Sequence, residues 1–484
     1  MRSNCLFQYA ILITVFLSSN IWTSIDGKKI RTNVTLTSNS LLKYISLLND
    51  PCDDFYYFSC EGWIYRRHLE ILLEKKWYSD ELYNFNSFFH EAMENRKYDN
   101  KSKVIKNIND MYRKCSTLDP ELIQVCHSSV LEFGTYAFAS YFIHRLENNK
   151  IVQESYKIVK KMFHEIIDEF RLLVKEKDNI LDKITMENYI KKLNKIKLNR
   201  NKHKKLGDLK LMKKCYGYFK FSNNMSAEEM INNINYFESL LPKTDTKLRK
   251  TCVDYIVHGK TSGVDIMLLT DKNAYFDPNL NAVVINPSML VDPCFDIRFP
   301  MSLNYGCLGV IIGHEIIHGF DAIGIYFDDN GKISQNITSE ESRKKFKEKS
   351  NCLSKQYTNE TLEQFGNDHR KFKVLGENIA DNGGIKIAYR AYRKYLKKIG
   401  GKELIIPRFE KFTGKQFFFV NFARFFCSQD NQPINMNNEN SEVHFPGSVR
   451  VRNTLSNYKP FSKAFKCKVG TKMNPEDKCE VWYY

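Results

Sequence analysis

A chain of 484 residues, 43% hydrophobic and 27% charged, is long enough for two packed cores, and its composition excludes an intrinsically disordered protein. The formal net charge of +17, from 73 Lys and Arg against 56 Asp and Glu, is spread through polar helical segments such as residues 195–214 and carries no nucleic-acid-binding motif. It reads as a solvated basic face, and no nucleic-acid partner is expected.

The chain opens on Met1-Arg2-Ser3, an apolar run from Leu6 to Leu17 and then small polar residues, the layout of a secretory leader. The run is short for a bilayer span. Residues 1–25 are therefore expected to be a signal peptide of a secreted, extracellular protein. The alternative is a signal anchor, which would make the chain a single-pass type II membrane protein with its main body outside the cell. Sequons at Asn33, Asn100, Asn224, Asn336 and Asn359 fit an extracytoplasmic route as glycosylation sites. So do the 13 cysteines: removing Cys5 with the leader leaves an even number, and none forms a CxxC pair, so they read as staples rather than a thiolate metal site.

Residues 26–50 read as a short polar stem, followed by a Cys- and aromatic-rich block from Pro51 to Trp63 within a segment 51–81. From residue 82 to about 260 apolar residues recur at helical spacing among Lys and Glu, as in Ile158–Val174, with little Pro or Gly to break them; this predicts a helical domain without repeats. The texture changes by Asn273. Asn281–Pro287 looks like a short strand and Leu308–Phe320 like a buried helix, which places a boundary near residues 255–272 and a second domain over 261–484.

The chemistry sits in Gly313-His314-Glu315-Ile316-Ile317-His318. Residues four apart share a helix face, so His314 and His318 can present two ring nitrogens to one ion while Glu315 stands beside it as a general base. Two imidazoles and a carboxylate on a helix flanked by Leu308, Val310, Ile311 and Ile312 are costly to bury without partners, and one Zn2+ per chain would supply them. A catalytic zinc takes three protein ligands and leaves a position for water. The third candidate is Glu377, in Gly376-Glu377-Asn378-Ile379-Ala380-Asp381, with Asp381 one turn further on. Asp381 would accept the second ring proton of a ligating histidine, with His314 the expected partner.

Taken together, these residues resemble the neprilysin family of zinc endopeptidases. The resemblance extends to Asn273-Ala274-Tyr275, Leu303-Asn304-Tyr305-Gly306, Gly319-Phe320-Asp321, Gln416–Ala423, His444 with Arg450, Met473-Asn474-Pro475 and Cys479–Trp482. It implies a mainly α (α+β) fold, a thermolysin-like zinc catalytic domain with a small sheet plus a reduced all-helical domain. It implies peptide substrates, with His444 stabilising the oxyanion, Arg450 holding a substrate carbonyl, and Asn273 and Ala274 binding peptide backbone. Disulfides carried over from the family would join Cys52 to Cys467, Cys60 to Cys427, Cys115 to Cys252 and Cys352 to Cys479, tying the 51–81 segment onto the catalytic domain. The remaining cysteines are assigned as Cys126 with Cys215 and Cys294 with Cys307, because each pair then stays within one domain.

The sequence departs from the family in places. The segments from Cys115 to Cys252 and from Cys252 to Asn273 are shorter, so the helical domain that caps the site is reduced and the cleft more open. Phe426 stands where a Trp is usual and Cys294 where a Pro is common, while Leu290, Phe295, Val310 and Ile311 keep the specificity pocket apolar, for a hydrophobic residue after the scissile bond. No match is found for the arginines that grip a free substrate C-terminus in some relatives. An alternative role is a catalytically weak or inactive binding or decoy protein on the same scaffold.

Overall fold

The computed structural model describes residues 22–25, 28–72, 84–200, 206–261, 264–266, 270, 272–365, 375–428 and 444–482. The leader run Leu6–Leu17 lies outside them. Among the described residues no helix is long and apolar enough to cross a membrane.

The elements that position the site are helices α1 (Val34–Leu41), α2 (Phe55–Leu72), α3 (Pro120–Asn148), α4 (Lys150–Lys175) and α5 (Lys183–Lys195), followed by strand β1 (Lys197–Arg200). After them come β2 (Ala274–Asp277), β3 (Ala282–Ile285), α6 (Val310–His318), α7 (Leu375–Lys398), α8 (Gly414–Phe425) and α9 (Gly447–Ser456). Among the described residues the fold is mainly helical with one small three-stranded sheet and two two-stranded ribbons, as the resemblance implied.

Helix α3 is buried on every face from Phe133 to Ile143, which makes it the axis of the helical half. In α4, by contrast, Val152, Tyr156, Val159, Phe163, Ile166, Phe170 and Leu173 form one apolar stripe, and Asn149 caps the start by accepting from the Ile151 and Val152 amides. That stripe faces the C-terminal half. Phe170 meets the rings of Phe320 (5.1 Å) and Trp482 (5.2 Å) edge-on, and Tyr189 of α5 meets Phe320 at 5.0 Å. Arg390 of α7 pairs with Glu169 (3.1 Å) and Glu176 (2.8 Å). Residues 150–200 therefore buttress the helices of the C-terminal half directly, although they lie within the stretch read as the helical domain.

The sheet has the order β1–β3–β2, with β1 parallel to β3 (Leu198↔Val283) and β2 antiparallel to it (Phe276↔Val283). All four residues of β3 are buried, as suits a central strand covered on both faces. Strand β1, Lys-Leu-Asn-Arg, has no strand signal of its own; pairing with β3 imposes its conformation.

The polar stem expected over 26–50 is, from residue 33 on, part of the body. Asn33 caps α1, Ser38 Oγ donates to the Pro407 carbonyl (2.7 Å), and Ser40 Oγ donates to Asp292 (2.6 Å). The fully buried Arg424 of α8 donates to the same Asp292 (3.0 Å). The segment reads as polar because its buried contacts are made by hydroxyls rather than alkyl groups.

Six disulfides join the described residues. Cys52–Cys467, Cys60–Cys427, Cys352–Cys479 and Cys294–Cys307 match expectation. The other two do not: Cys115 bonds Cys126 and Cys215 bonds Cys252, in place of Cys115–Cys252 and Cys126–Cys215. The reason is local. The chain turns back at Asp119-Pro120 into α3, which returns Cys126 to Cys115, while the short helices Leu209–Tyr216 and Thr246–Cys252 bring their own cysteines together. All five sequon asparagines are exposed.

Candidate metal site

Helix α6 follows a wide turn at Tyr305–Gly309 and crosses α7 at a glycine pair. A Cβ on Gly313 would stand 2.6 Å from the Gly384 carbonyl oxygen, and one on Gly384 would stand 2.5 Å from the His314 amide nitrogen. Only two glycines let the backbones approach this closely. The contact brings the first two turns of α7, with Glu377 and Asp381, against the His314–His318 face of α6.

Behind the rings stand two carboxylates. His314 Nδ1 lies 2.9 Å from Asp381 Oδ1, and His318 Nδ1 lies 2.7 Å from Asp321 Oδ2. A neutral imidazole facing a carboxylate through Nδ1 carries its proton there, which leaves Nε2 as a lone pair. The two Nε2 atoms converge to 3.0 Å, and Glu377 approaches them at 3.1 Å (Oε2 to His314) and 3.4 Å (Oε1 to His318). One ligand atom from each residue falls within 4.8 Å of the others. Three acceptors turned on one another in a buried place repel unless a cation sits among them, and two nitrogens with one carboxylate oxygen are a donor set that zinc favours.

The electrostatics agree. Burial alone would lower the His314 pKa, but the Asp381 and Glu377 carboxylates override it and push the group up to about 10; without a metal, a proton stands in for the ion. Burial would raise Glu377, but His314 and His444 hold it far below the usual carboxylate range. Asp381 is likewise held at about 2, against burial, chiefly by Arg450.

A cavity of about 490 Å³ opens over these groups, lined by Asn273, Ala274, Val310, Ile311, His314, Glu315, His318, Glu377, Asp381, Phe426, His444 and Arg450. The structure thus gathers at one place the residues named from the sequence as catalytic, metal-binding and substrate-binding, apart from Leu290 and Phe295 of the expected apolar pocket. Asn273 accepts from the Ala274 amide through its side chain (2.8 Å), at the start of the sheet's edge strand β2. His444 is half-exposed, with Nε2 at 2.9 Å from Glu377 Oε2. Arg450 donates from Nε and Nη2 to both Asp381 oxygens (2.7 Å each) and stacks over the Phe426 ring at 4.7 Å.

Two expectations are corrected. Leu290 and Phe295 are buried beside the cavity and do not line it; its apolar wall is completed by Met289, Phe422, Phe425 and Cys307, the last held by the disulfide to Cys294. Asp321 was given no role from the sequence, yet it orients His318. Its signal was available: a carboxylate three residues past the second histidine lies one turn on, beyond the helix end.

The family model for peptidase family M13 matches residues 273–481. Neprilysin-1 of Caenorhabditis elegans is 43% identical over 215 residues, and human neprilysin 42% over 211; each alignment covers 43% of this chain and 28% of the relative. An endothelin-converting enzyme homolog of Locusta migratoria is 36% identical over 313 residues, 64% of this chain and 38% of that one. The chain therefore spans well under half the length of these relatives. Among solved structures, a Mycobacterium tuberculosis zinc metalloprotease in complex with an inhibitor superposes with a TM-score of 0.55 at 20% identity, covering 76% of this chain and 52% of that one. A Haemonchus galactose-containing glycoprotein complex gives 0.55 at 23%, covering 75% and 56%. These two share the fold. Residues 273–481, which carry both ligand helices and the cavity wall, match the model of peptidase family M13, and the chain is similar to the neprilysins.

Proposed function

We propose that the chain is a zinc-dependent endopeptidase that hydrolyses extracellular peptides on the amino side of hydrophobic residues. The observation that carries this reading is the convergence of His314 Nε2, His318 Nε2 and Glu377 on one point, beside Glu315 in a cavity open to a peptide. Zinc bound there would supply a Lewis acid that polarises the scissile carbonyl and acidifies a water.

The chain's own groups do the rest. Glu315 takes a proton from the attacking water and passes it to the leaving amine. His444, at the cavity mouth, donates to the oxygen on which negative charge develops. Asp381 and Asp321 fix the tautomers of the two ligating rings. Arg450 has Nε and Nη2 engaged with Asp381, so its Nη1 side is the one that would hold a substrate carbonyl. Asn273 and Ala274, on the edge strand, align the substrate backbone, and Val310, Ile311 and Phe426 receive the side chain after the scissile bond. Six disulfides and five exposed sequon asparagines support an extracellular location.

The test is hydrolysis of a quenched fluorescent peptide bearing Phe or Leu after the scissile bond, with and without a chelator, beside Glu315→Gln. One zinc per chain, chelator-sensitive turnover and a loss of about 10²–10⁴-fold in Glu315→Gln with zinc retained are expected. A wild-type chain that holds one zinc yet is no faster than Glu315→Gln refutes the enzyme reading and leaves a binding protein.

A further inference from the structure

Lys192, near the end of α5, sends its ammonium group into the loop that follows α6. Its side chain is buried, and Nζ donates to the carbonyl oxygens of Gly319 (2.7 Å), Gly324 (2.9 Å) and Phe327 (2.9 Å). Three acceptors use all three protons of an ammonium; a neutral amine has only two to give. The rings of Phe320 and Phe276, with centroids 5.2 and 6.0 Å from Nζ, turn further negative potential toward a cation taken out of water.

The three carbonyls bracket Asp321. Gly319 caps the C-terminal end of α6, where unpaired acceptors and the negative pole of the helix dipole favour a cation. Gly324 and Phe327 close the loop on its far side. Between them Asp321 Oδ1 accepts from the Ile323 and Gly324 amides, both at 2.8 Å, while Oδ2 faces His318. Gly324 has no room for a side chain, since a Cβ there would collide with the His318 carbonyl oxygen. One cation thus fixes the backbone on both sides of the carboxylate that sets the His318 ring.

We propose that Lys192 is a positioning residue for the metal site: from a helix 127 residues before Gly319, it locks residues 319–327 so that Asp321 holds the His318 imidazole in its ligating tautomer and direction. It touches neither metal nor substrate. The proposal rests on the reading of His314, His318 and Glu377 as a zinc site, and adds to that site a residue from the first half of the chain.

The full-length chain and its Lys192→Met variant are loaded with zinc or cobalt(II). Zinc affinity is read by competition with a chromophoric chelator, and ligand geometry by the visible absorption of bound cobalt. Leu146→Ala, a cavity at a fully buried position of α3, controls for general destabilisation. Lys192→Met is expected to bind zinc about tenfold more weakly, the low end for groups that orient a metal ligand, and to change the cobalt spectrum. Leu146→Ala is expected to lower Tm and change neither. Wild-type zinc affinity and cobalt spectrum in Lys192→Met overturn the proposal, as does a Leu146→Ala variant that reproduces both changes. If Lys192→Met does not accumulate as folded protein, Lys192→Gln, which keeps an amide donor in the loop, is judged by the same two readouts. A wild-type chain that binds no stoichiometric zinc or cobalt overturns the zinc site itself, an outcome distinct from an unaffected variant.

Discussion

Asp321 and Asp381 do for the two histidines what helix geometry alone cannot. Spacing brings both rings to one face, but each ring can rotate and can carry its proton on either nitrogen, and only a fixed acceptor at Nδ1 turns Nε2 toward the ion. Asp321→Asn, which exchanges an ionised acceptor for an amide, is expected to weaken zinc binding 10–100-fold. Chelator competition measures this, and unchanged affinity would remove Asp321 from the site. The same carboxylates set the pH behaviour. In the metal-free protein His314 is raised from 6.5 to about 10, so its bound proton stabilises the fold fully below pH 6.5, and that contribution is lost as pH climbs through the folded value. The Tm advantage of chelator-treated wild type over chelator-treated His314→Gln should shrink between pH 7 and 10; the buried ammonium groups of Lys177, Lys192 and Lys386, whose pKa burial lowers, act with the opposite sign but equally in both proteins. Because zinc must displace the His314 proton, affinity should rise over the same interval. An advantage that grows with pH there would contradict the assignment.

At the scale of elements, the Gly313–Gly384 crossing determines how far Glu377 stands from the imidazoles. Gly384→Ala puts a methyl group against the His314 backbone, so α6 and α7 must separate. A loss of about 1–3 kcal/mol, typical of overpacking, should accompany weaker zinc binding, checked by thermal melts and metal titration on one preparation. Some of this level was legible beforehand. His314, His318, Glu377 and Asp381 follow from 3.6-residue spacing and the coordination a zinc ion demands, and the strand at 282–285 from its apolar run. The crossing was not: Gly383-Gly384 reads as a weakness inside a helix until the backbone facing it is known. Nor was β1, whose Lys-Leu-Asn-Arg has no alternation and becomes a strand only by lying beside β3. The Cys115–Cys252 pairing was carried over from a resemblance, whereas the local turns of this chain bring each of these cysteines to a nearer partner.

For the molecule as a whole, the first and last thirds of the chain are tied across its full length. Cys52–Cys467 spans 415 residues and Cys60–Cys427 spans 367, and the Arg424–Asp292–Ser40 cluster repeats the tie without a covalent bond. Closing loops this long removes conformational freedom from the unfolded chain. Replacing both cysteines of either pair by Ser should cost about 2–5 kcal/mol, read as a fall in the denaturation midpoint. A change below 1 kcal/mol would mean that the packing of α1 and α2 holds this end unaided.

The same ties govern when the site can be completed. A chain made from its N-terminus exposes Cys52 long before Cys467 exists, and Arg450, which steadies Asp381, also comes off near the end. During translation His314, His318 and Glu377 are present while the body around them is still open. The site around His314, His318 and Glu377 is then steadied only once Arg450 and Cys467 have been made, and an unfinished copy holds its three candidate ligands without the groups that fix them.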